Sequence, residues 1–260
     1  MPFREITKND LGLVGIGIDL TEVCNRKCPA CFAAHTPRSM TLGLFQRIID
    51  QAVKMSFTEF YILGGEPTLH PNILECLQYA EGKFNPVILV TNMDRLANFA
   101  FCQAVEATGA VIAGQRHTLD SDAESHQLER LLAGGNHLKT SHQAWENVAK
   151  LFPPSRVCVQ CCITAPVVEN GSIYEVFRWC RRYGYEPVME FTKEGAGFKR
   201  GCSLDVEPSV MLKVLQELQR IDREEFGLPG AALLSPQAYG KTCHMQETSL
   251  HFRVNGEAIP

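Results

Sequence analysis

The chain has 260 residues, of which 45% are hydrophobic and 21% charged, a balance typical of globular proteins and not of disordered or fibrous ones. Its formal net charge of -4 gives no electrostatic support for nucleic-acid binding. No apolar run approaches the roughly 20 residues of a membrane span, and the N-terminus has no apolar signal core. The 11 cysteines are an odd number in a large chain, which favours a cytoplasmic protein with metal-binding thiols.

Strands and helices alternate in the predicted secondary structure. The strands are short runs of apolar and β-branched residues, and the helices have apolar residues at helical spacing. In chain order we predict a strand over 13–20, a helix over 42–54, a strand over 57–63, a helix over 71–82, a strand over 86–91, a helix over 96–108, a strand over 110–114, a helix over 141–152, a strand over 156–164, a helix over 173–183, a strand over 186–191 and a helix over 208–226. This alternation predicts a parallel sheet with outer helices, either doubly wound or a barrel.

The C-terminal region differs from the rest of the chain. Glycine, proline and serine gather after the last predicted helix, which predicts a domain over 1–227 and an extension over 228–260. Residues 249–254 alternate like a strand, and Asn255-Gly256 is the strongest two-residue signal for a hairpin. The return strand is then very short, which predicts that the natural protein continues.

Three cysteines follow the first predicted strand in the spacing CxxxCxxC: Cys24, Cys28 and Cys31. A structural zinc site usually has four protein ligands in paired short spacings. Three closely spaced thiolates instead suit an iron–sulfur cluster in which one iron stays open to a small molecule. Structural zinc and coincidental thiols are the alternatives.

A second motif, Gly64-Gly65-Glu66-Pro67, directly follows the second predicted strand. Two glycines let a ligand approach the backbone closely, and the neighbouring carboxylate can receive an ammonium group. The carboxyl ends of parallel strands are where open and closed α/β sheets bind ligands. A simple turn is the alternative, since most glycine pairs are turns.

Together, the CxxxCxxC and GGEP motifs resemble those of the radical S-adenosylmethionine superfamily, over roughly residues 13–195. The resemblance implies a partial (β/α)6 TIM-like barrel and a [4Fe-4S] cluster held by the three cysteines. It implies that S-adenosylmethionine chelates the open iron and that GGEP meets its methionine ammonium. Reductive cleavage would then give a 5′-deoxyadenosyl radical that takes a hydrogen atom from the substrate, with flavodoxin or ferredoxin as electron donor.

The same resemblance assigns further residues to the cofactor. Asn92 ends the third predicted strand, where the family often places an asparagine near the ribose or methionine. His117 follows the fourth strand, and Glu190 ends the sixth, where it would face the barrel mouth. Phe32 follows the third cysteine, whereas many relatives have the aromatic residue before it, where this chain has Ala30. A turn or solvated loop residue is the alternative at each position.

Two of the remaining cysteines, Cys202 and Cys243, lie in loop-like sequence. Cys243 begins the pattern C-x12-G-x4, which resembles the opening of the cysteine-rich SPASM or twitch extension. That resemblance implies an auxiliary [4Fe-4S] cluster in a longer chain, with Cys243 as one ligand; a plain loop cysteine is the alternative. The other six are predicted to be core residues, three on helices and three on the fifth strand: Cys76, Cys102, Cys180, Cys158, Cys161 and Cys162.

Three functions stay open at this point. The first is a radical enzyme acting on a peptide or protein, as SPASM-bearing relatives mostly do. The second is the same chemistry on a small metabolite such as a sugar, nucleoside or lipid precursor, which the short segment before Cys24 favours. The third is a non-catalytic iron–sulfur or zinc protein, against which the GGEP motif argues because a structural metal site needs no cofactor pocket.

Overall fold

The computed structural model describes residues 14–31, 33, 35–191, 203–229 and 249–259. In these ranges strands and helices alternate as predicted. The strands are β1 Gly15–Thr21, β2 Glu59–Gly64, β3 Val87–Thr91, β4 Val111–Gln115, β5 Val157–Ile163, β6 Glu186–Phe191, β7 Ser249–Phe252 and β8 Ala258–Ile259. The helices are α1 Leu42–Lys54, α2 Ile73–Ala80, α3 Phe99–Glu106, α4 Ala123–Ala133, α5 Leu138–Leu151, α6 Ala165–Glu169, α7 Ser172–Tyr183 and α8 Pro208–Phe226.

All eight strands belong to one sheet, in the order β6-β5-β4-β3-β2-β1-β7-β8. The first six lie side by side in chain order, and each pair is parallel. A doubly wound sheet would reverse its strand order partway across, so the sequential order excludes that alternative. The predicted partial (β/α)6 barrel is confirmed.

The two faces of the sheet differ because side chains alternate along each strand. On β1, Ile16, Ile18 and Leu20 are fully buried and belong to the same hydrophobic cluster as Phe45 and Ile49 of α1. The opposite side of the sheet, turned away from the helices, is called the inner face here. It carries less buried residues, among them Gly17, Asp19, Tyr61, Cys158 and Cys162.

Two helices were missed by the sequence analysis. For α4 the usual end signals are present: Asp122 accepts a hydrogen bond from the Ser125 backbone N–H at 2.7 Å, and Gly134 ends the helix with a φ of 69°. Helix α6 has only 5 residues, too few to show a helical period. Helix α5 begins three residues earlier than predicted. Helix α3 begins three residues later, because a 3₁₀ turn over Asp94–Ala97 precedes it.

The predicted C-terminal hairpin exists, but its turn is longer than two residues. The last strand pair is Phe252 with Ala258, and the Gly256 N–H donates to the Arg253 carbonyl at 2.8 Å. Gly256 has a φ of 82°, the left-handed conformation that closes three-residue hairpin loops. Strand β7 pairs in parallel with β1, so the predicted extension contributes to the core sheet. The boundary near residue 227 stays a prediction.

In the described part of the chain, the search for a helix with the length and apolar character of a membrane span finds no candidate.

Candidate functional site

The three motif cysteines lie on one loop, called the cysteine loop here, which covers residues 22–31 at the carboxyl end of β1. All three thiols are free and partly buried. Burial raises the pKa of the Cys28 thiol to about 12, opposed by Arg26 and reinforced by the neighbouring thiols. No three metal-ligating side chains among the described residues have metal-binding geometry.

Backbone N–H groups of the cysteine loop already point at sulfur. The Arg26 N–H donates to Cys24 Sγ at 3.4 Å, and the Ala33 N–H donates to Cys31 Sγ at 3.4 Å. The Cys31 N–H donates to the Cys28 carbonyl at 3.0 Å and closes a tight turn between these cysteines. Such N–H groups stabilise a thiolate, and hydrogen bonds to sulfur tune iron–sulfur clusters. The donor set therefore fits a cluster held by three thiolates.

The glycine pair after β2 holds the cysteine loop in place. The Gly65 N–H donates to the Thr21 carbonyl at 2.6 Å, and the Glu66 N–H donates to the Val23 carbonyl at 2.7 Å. A Cβ at Gly64 would clash with the Thr21 carbonyl, and one at Gly65 would clash with that of Val23. The sequence analysis attributed the glycines to a close approach of ligand. In the structure they permit the close approach of the cysteine-loop backbone.

The Glu66 carboxylate is 1% exposed and joins the ends of β2 and β3. Its Oε1 accepts hydrogen bonds from the Thr68 N–H at 3.1 Å, the Thr68 hydroxyl at 2.6 Å and the Thr91 hydroxyl at 2.8 Å. Its Oε2 accepts a hydrogen bond from the Asn92 N–H at 2.7 Å, the one donor to this oxygen among the described residues. Burial raises the pKa of Glu66, while these hydrogen bonds lower it. Since Oε2 has capacity for a further donor, the geometry fits a nearby ammonium group.

Asn92 lies against the cysteine loop. Its side-chain amide donates to Asn25 Oδ1 at 2.8 Å and to Cys24 Sγ at 4.0 Å. Pro67, the last residue of the GGEP motif, opens a 3₁₀ turn over Pro67–Leu69. The carboxyl ends of β1, β2 and β3 therefore bring the two sequence motifs and Asn92 to one place.

A buried ion-pair network lies behind the cysteine loop. Arg26 is 2% exposed and contacts both oxygens of Asp94, at 2.6 and 3.2 Å, and Glu129 at 3.3 Å. Glu129 also pairs with His117 Nδ1 at 2.9 Å, and Asp94 pairs with His137 Nδ1 at 3.0 Å. These five residues are called the Arg26 network. The sequence analysis missed Arg26, Asp94 and Glu129; the one signal was an arginine inside the cysteine motif.

The Arg26 network fixes the cysteine loop to α4. At the end of that helix, a Cβ on Gly134 would clash with the carbonyl of Lys27, so the backbones are in direct contact. Burial acts to raise the pKa of Glu129, but His117 and Arg26 hold it below its ordinary value. A charged carboxylate and a charged guanidinium therefore stabilise each other in a buried position.

The other residues that were predicted to contact the cofactor do not all lie beside the cysteine loop. His117 is 3% exposed, and its Nδ1 is bonded to Glu129 within the Arg26 network. Glu190 is exposed near the carboxyl end of β6, and its charge helps to raise the pKa of Cys162. Phe32 and Cys243 lie outside the described residues. The predicted contacts of His117, Glu190 and Phe32 with the cofactor stay predictions.

The six cysteines predicted to be core residues fall into two groups. Cys76, Cys102, Cys161 and Cys180 are buried, as predicted. Cys158 and Cys162 are only partly buried, because alternation along β5 puts them on the inner face. For these two the core prediction is wrong. Burial raises the pKa of Cys162 to about 11, with additional effects of Glu190 and Cys31, so this thiol lies toward the cysteine loop.

The chain belongs to the radical SAM superfamily, since the model of that family matches residues 18–191. The CxxxCxxC and GGEP motifs predicted this membership, and enzymes of this superfamily use a [4Fe-4S] cluster and S-adenosylmethionine.

Curated relatives match shorter parts of the chain. The subtilosin biosynthesis protein AlbA of Bacillus subtilis is 32% identical over 77 residues, which cover 28% of this chain and 17% of AlbA. A probable GTP 3′,8-cyclase of Pyrococcus horikoshii is 22% identical over 170 residues, or 64% of this chain and 52% of the cyclase. An S-adenosylmethionine-dependent nucleotide dehydratase of Selenomonas ruminantium is 28% identical over 85 residues, or 32% of this chain and 31% of the dehydratase. The chain spans about half or less of these relatives.

Solved structures share the fold over nearly the whole chain. SuiB of Streptococcus suis superimposes with a TM-score of 0.73 and 18% identity, over 96% of this chain and 60% of SuiB. The enzyme anSMEcpe with bound AdoMet superimposes with a TM-score of 0.72 and 17% identity, over 95% of this chain and 74% of anSMEcpe. At this identity the likeness establishes the fold.

Proposed function

We propose that Cys24, Cys28 and Cys31 hold the [4Fe-4S] cluster and that the enzyme abstracts a hydrogen atom from a peptide or protein substrate. Once bound, the cluster and S-adenosylmethionine supply the 5′-deoxyadenosyl radical that performs this abstraction. The observation that carries the ligand assignment is the cysteine loop itself, where three free thiols share one loop and backbone N–H groups point at two of the sulfurs.

Around this loop, each residue set has its own role. Gly64 and Gly65 let the loop backbone pack against β2, and the Arg26 network fixes its far side to α4. Glu66 Oε2 and the Asn92 side chain lie toward the loop and are suited to orient the polar groups of S-adenosylmethionine. The proposal also includes a cytoplasmic location and flavodoxin or ferredoxin as the electron donor. It further includes a domain boundary near residue 227 and a role for Cys243 as a ligand of an auxiliary cluster.

The relatives support the peptide substrate in two ways. AlbA, the relative with the highest identity among the three compared, is a bacteriocin biosynthesis protein. SuiB has been crystallised with the precursor peptide SuiA, and anSMEcpe with the Cp18Cys peptide. Both share the fold over more than nine-tenths of this chain. These likenesses associate the fold with peptides without carrying the substrate of any one relative to this chain.

A small nucleotide is the second candidate substrate. The probable GTP 3′,8-cyclase matches 64% of this chain, and another relative is a nucleotide dehydratase. If the substrate is a nucleotide, GTP or another nucleoside triphosphate should stimulate cleavage of S-adenosylmethionine by this enzyme.

Substrate-stimulated cleavage separates the two candidates. Anaerobically reconstituted enzyme, with dithionite and S-adenosylmethionine, is incubated with a pool of synthetic peptides or with the four ribonucleoside triphosphates. We expect the peptide pool to increase 5′-deoxyadenosine formation and to yield peptides of changed mass. Stimulation by a nucleotide alone, with deuterium transfer from labelled nucleotide to 5′-deoxyadenosine, would contradict the peptide assignment and support the second candidate.

A further inference from the structure

A second pair of titratable side chains lies on the inner face, apart from the cysteine loop. His251 of β7 contacts Asp19 of β1, with Nε2 and Oδ2 3.0 Å apart. The two side chains are 31% and 29% exposed, so solvent reaches both. They are called the Asp19–His251 pair, and neither the GGEP motif nor the Arg26 network includes them.

The pairing of β7 with β1 creates this arrangement. His251 lies opposite Gly17 in the parallel register, and a Cβ on Gly17 would lie 2.7 Å from His251 Nδ1. The missing side chain at Gly17 therefore lets the imidazole ring lie over β1 and reach Asp19. Because Ile18 and Leu20 are fully buried on the opposite side, alternation puts Asp19 on the inner face.

The contact with Asp19 selects one form of the imidazole. When the ring is neutral, the Asp19 carboxylate 3.0 Å from Nε2 favours a proton on that nitrogen, because a carboxylate only accepts hydrogen bonds, and Nδ1 then has a lone pair. Nδ1 lies over Gly17 and makes no hydrogen bond in the described part of the chain, while the side chain as a whole is 31% exposed.

The charged groups nearby are paired with each other. On β2, the Tyr61 hydroxyl donates to Glu59 at 2.8 Å. In the turn after β7, Arg253 pairs with Glu257 at 3.5 Å, and Arg253 also helps to lower the pKa of Glu22. In the described residues, Asp19 is thus the charged group that orients the imidazole. A carboxylate that holds one ring nitrogen while the other faces a ligand space is the arrangement of a general base and its orienting group.

The pair also lies close to the cysteine loop. Asp19 precedes Thr21, the last residue of β1, by two positions, which corresponds to about 7 Å along a strand. The cysteine loop follows immediately. A substrate held at the carboxyl end of the sheet, where this fold binds ligands, would therefore reach both.

We propose that His251, oriented by Asp19, accepts a proton from the substrate, which carries an O–H, N–H or S–H group beside the carbon that loses its hydrogen atom. This inference rests on the proposed function and deepens it. In the step, the X–H bond of the substrate breaks and an Nδ1–H bond forms, while the X–H electron pair stays on X. The imidazolium that results is paired with the Asp19 carboxylate, and nothing is oxidised or reduced in this proton transfer.

The state of the imidazole is tested first, in the whole chain and without a substrate. ¹⁵N-histidine NMR of the wild type, at a pH where the His251 ring is neutral, should show its proton on Nε2, and Asp19→Asn should mix the two tautomers. Diethyl pyrocarbonate with peptide mapping should modify His251 as readily as His126, a partly exposed histidine of α4; His126→Gln is the control. A proton on Nδ1, or protection of His251 from the reagent, would overturn the proposal.

The proton transfer is tested with the synthetic peptide pool as probe. His251→Gln should lower modified peptide per 5′-deoxyadenosine by about 100-fold, a typical contribution of a general base. Asp19→Asn keeps the His251 ring and replaces the carboxylate by an amide of the same shape. It should lower this ratio less than His251→Gln does and change the pH profile of the ratio. An unchanged ratio in a folded His251→Gln protein would overturn the proposal.

Failure of the proposed function gives a different result. A wild type that modifies no peptide in the pool contradicts the peptide assignment, whereas the NMR and diethyl pyrocarbonate results still decide the state of His251. If His251→Gln does not fold, the same ratio measured for Asp19→Asn decides the role of the pair: an unchanged ratio and pH profile would leave a purely structural contact between β7 and β1.

Discussion

Arg26 is a positively charged residue between two cysteines of the CxxxCxxC motif, and its burial depends on residues far away in the chain. Asp94 and Glu129 supply the opposite charges from 68 and 103 residues away. Removing one partner of such a pair leaves a buried charge without compensation, which costs more than the pair contributes. The shape of the cysteine loop is therefore sensitive to substitutions that touch no cysteine.

Glu129→Gln should destabilise the metal-free protein by about 3 kcal/mol at pH 7, because His117 loses its buried carboxylate partner and Arg26 keeps only Asp94. The pKa of Glu129 is lowered in the folded state. Its contribution is therefore complete above the unfolded-state pKa and is lost as the pH falls through the folded value. Urea unfolding followed by circular dichroism at pH 7 and at lower pH measures both effects.

Glu224→Gln is the matched control for this substitution. Glu224 pairs with Arg220 at 2.7 Å on the surface of α8 and is 63% exposed, so its loss should cost less than about 1 kcal/mol. Equal effects of the two substitutions, or a Glu129→Gln effect that does not change with pH, would contradict the role assigned to the Arg26 network.

Glu66→Gln should weaken S-adenosylmethionine binding by about tenfold while iron content after reconstitution stays near that of wild type. The change replaces one carboxylate oxygen by an amide that donates, and a charged acceptor is worth more than a neutral one. Equilibrium dialysis and iron quantitation give the two readouts. Equal loss of iron and of cofactor binding would mean that Glu66 only holds β2 and β3 together.

For individual residues, the site could be predicted from the sequence mainly where the site residues are neighbours in the chain. The three cysteines and GGEP are short motifs, and the structure places them side by side. The Arg26 network could not be predicted, because its members come from five separate segments. The contact of the glycine pair with the cysteine loop could not be predicted for the same reason, because that loop precedes the pair by about 40 residues along the chain; the cofactor role of the glycines stays a prediction.

Among the elements, the strands could be predicted because buried parallel strands are continuous apolar runs. All six predicted strands of the parallel series begin and end within two residues of the observed bounds, and 186–191 matches β6 at both ends. Helix α4 has a polar sequence with few leucines, so its apolar period is weak, and the cap residues Asp122 and Gly134 were the better signal. Periodicity alone therefore underestimated the helical part of the chain.

Gly65→Ala should disturb the contact between the end of β2 and the cysteine loop. The new Cβ meets backbone, which cannot rotate away, so we expect a stability loss of about 2 kcal/mol and lower iron content after reconstitution. Thermal unfolding and iron quantitation measure these effects.

Gly43→Ala provides the control within α1. Its Cβ would have only the Arg47 side chain nearby, at 3.9 Å, and alanine is the better helix residue by about 1 kcal/mol. This variant should be at least as stable as wild type and bind iron normally. If Gly65→Ala behaves like Gly43→Ala, the close backbone contact is not needed.

For the whole molecule, the sheet order combines one predictable and one unpredictable feature. The parallel direction of six strands follows from the regular alternation of strands and helices, and their chain order follows from the resemblance to the superfamily. The placement of β7 beside β1 does not, because the local pattern of residues 249–254 predicts a strand without naming its neighbour. Because the pairing of β7 with β1 brings His251 to Asp19, the Asp19–His251 pair could not be inferred from the sequence.

The central claim is that the cysteine loop holds a cluster that cleaves S-adenosylmethionine. The most direct measurement is 5′-deoxyadenosine formation by the anaerobically reconstituted protein with dithionite, alongside its iron and sulfide content. Wild type should hold roughly four irons per chain at this site and form 5′-deoxyadenosine and methionine. The variant with Cys24, Cys28 and Cys31 all changed to alanine should do neither, whereas Cys102→Ala, a buried cysteine of α3, should retain both. Stoichiometric zinc without iron in the wild type, or 5′-deoxyadenosine formation by the triple variant, would contradict the claim.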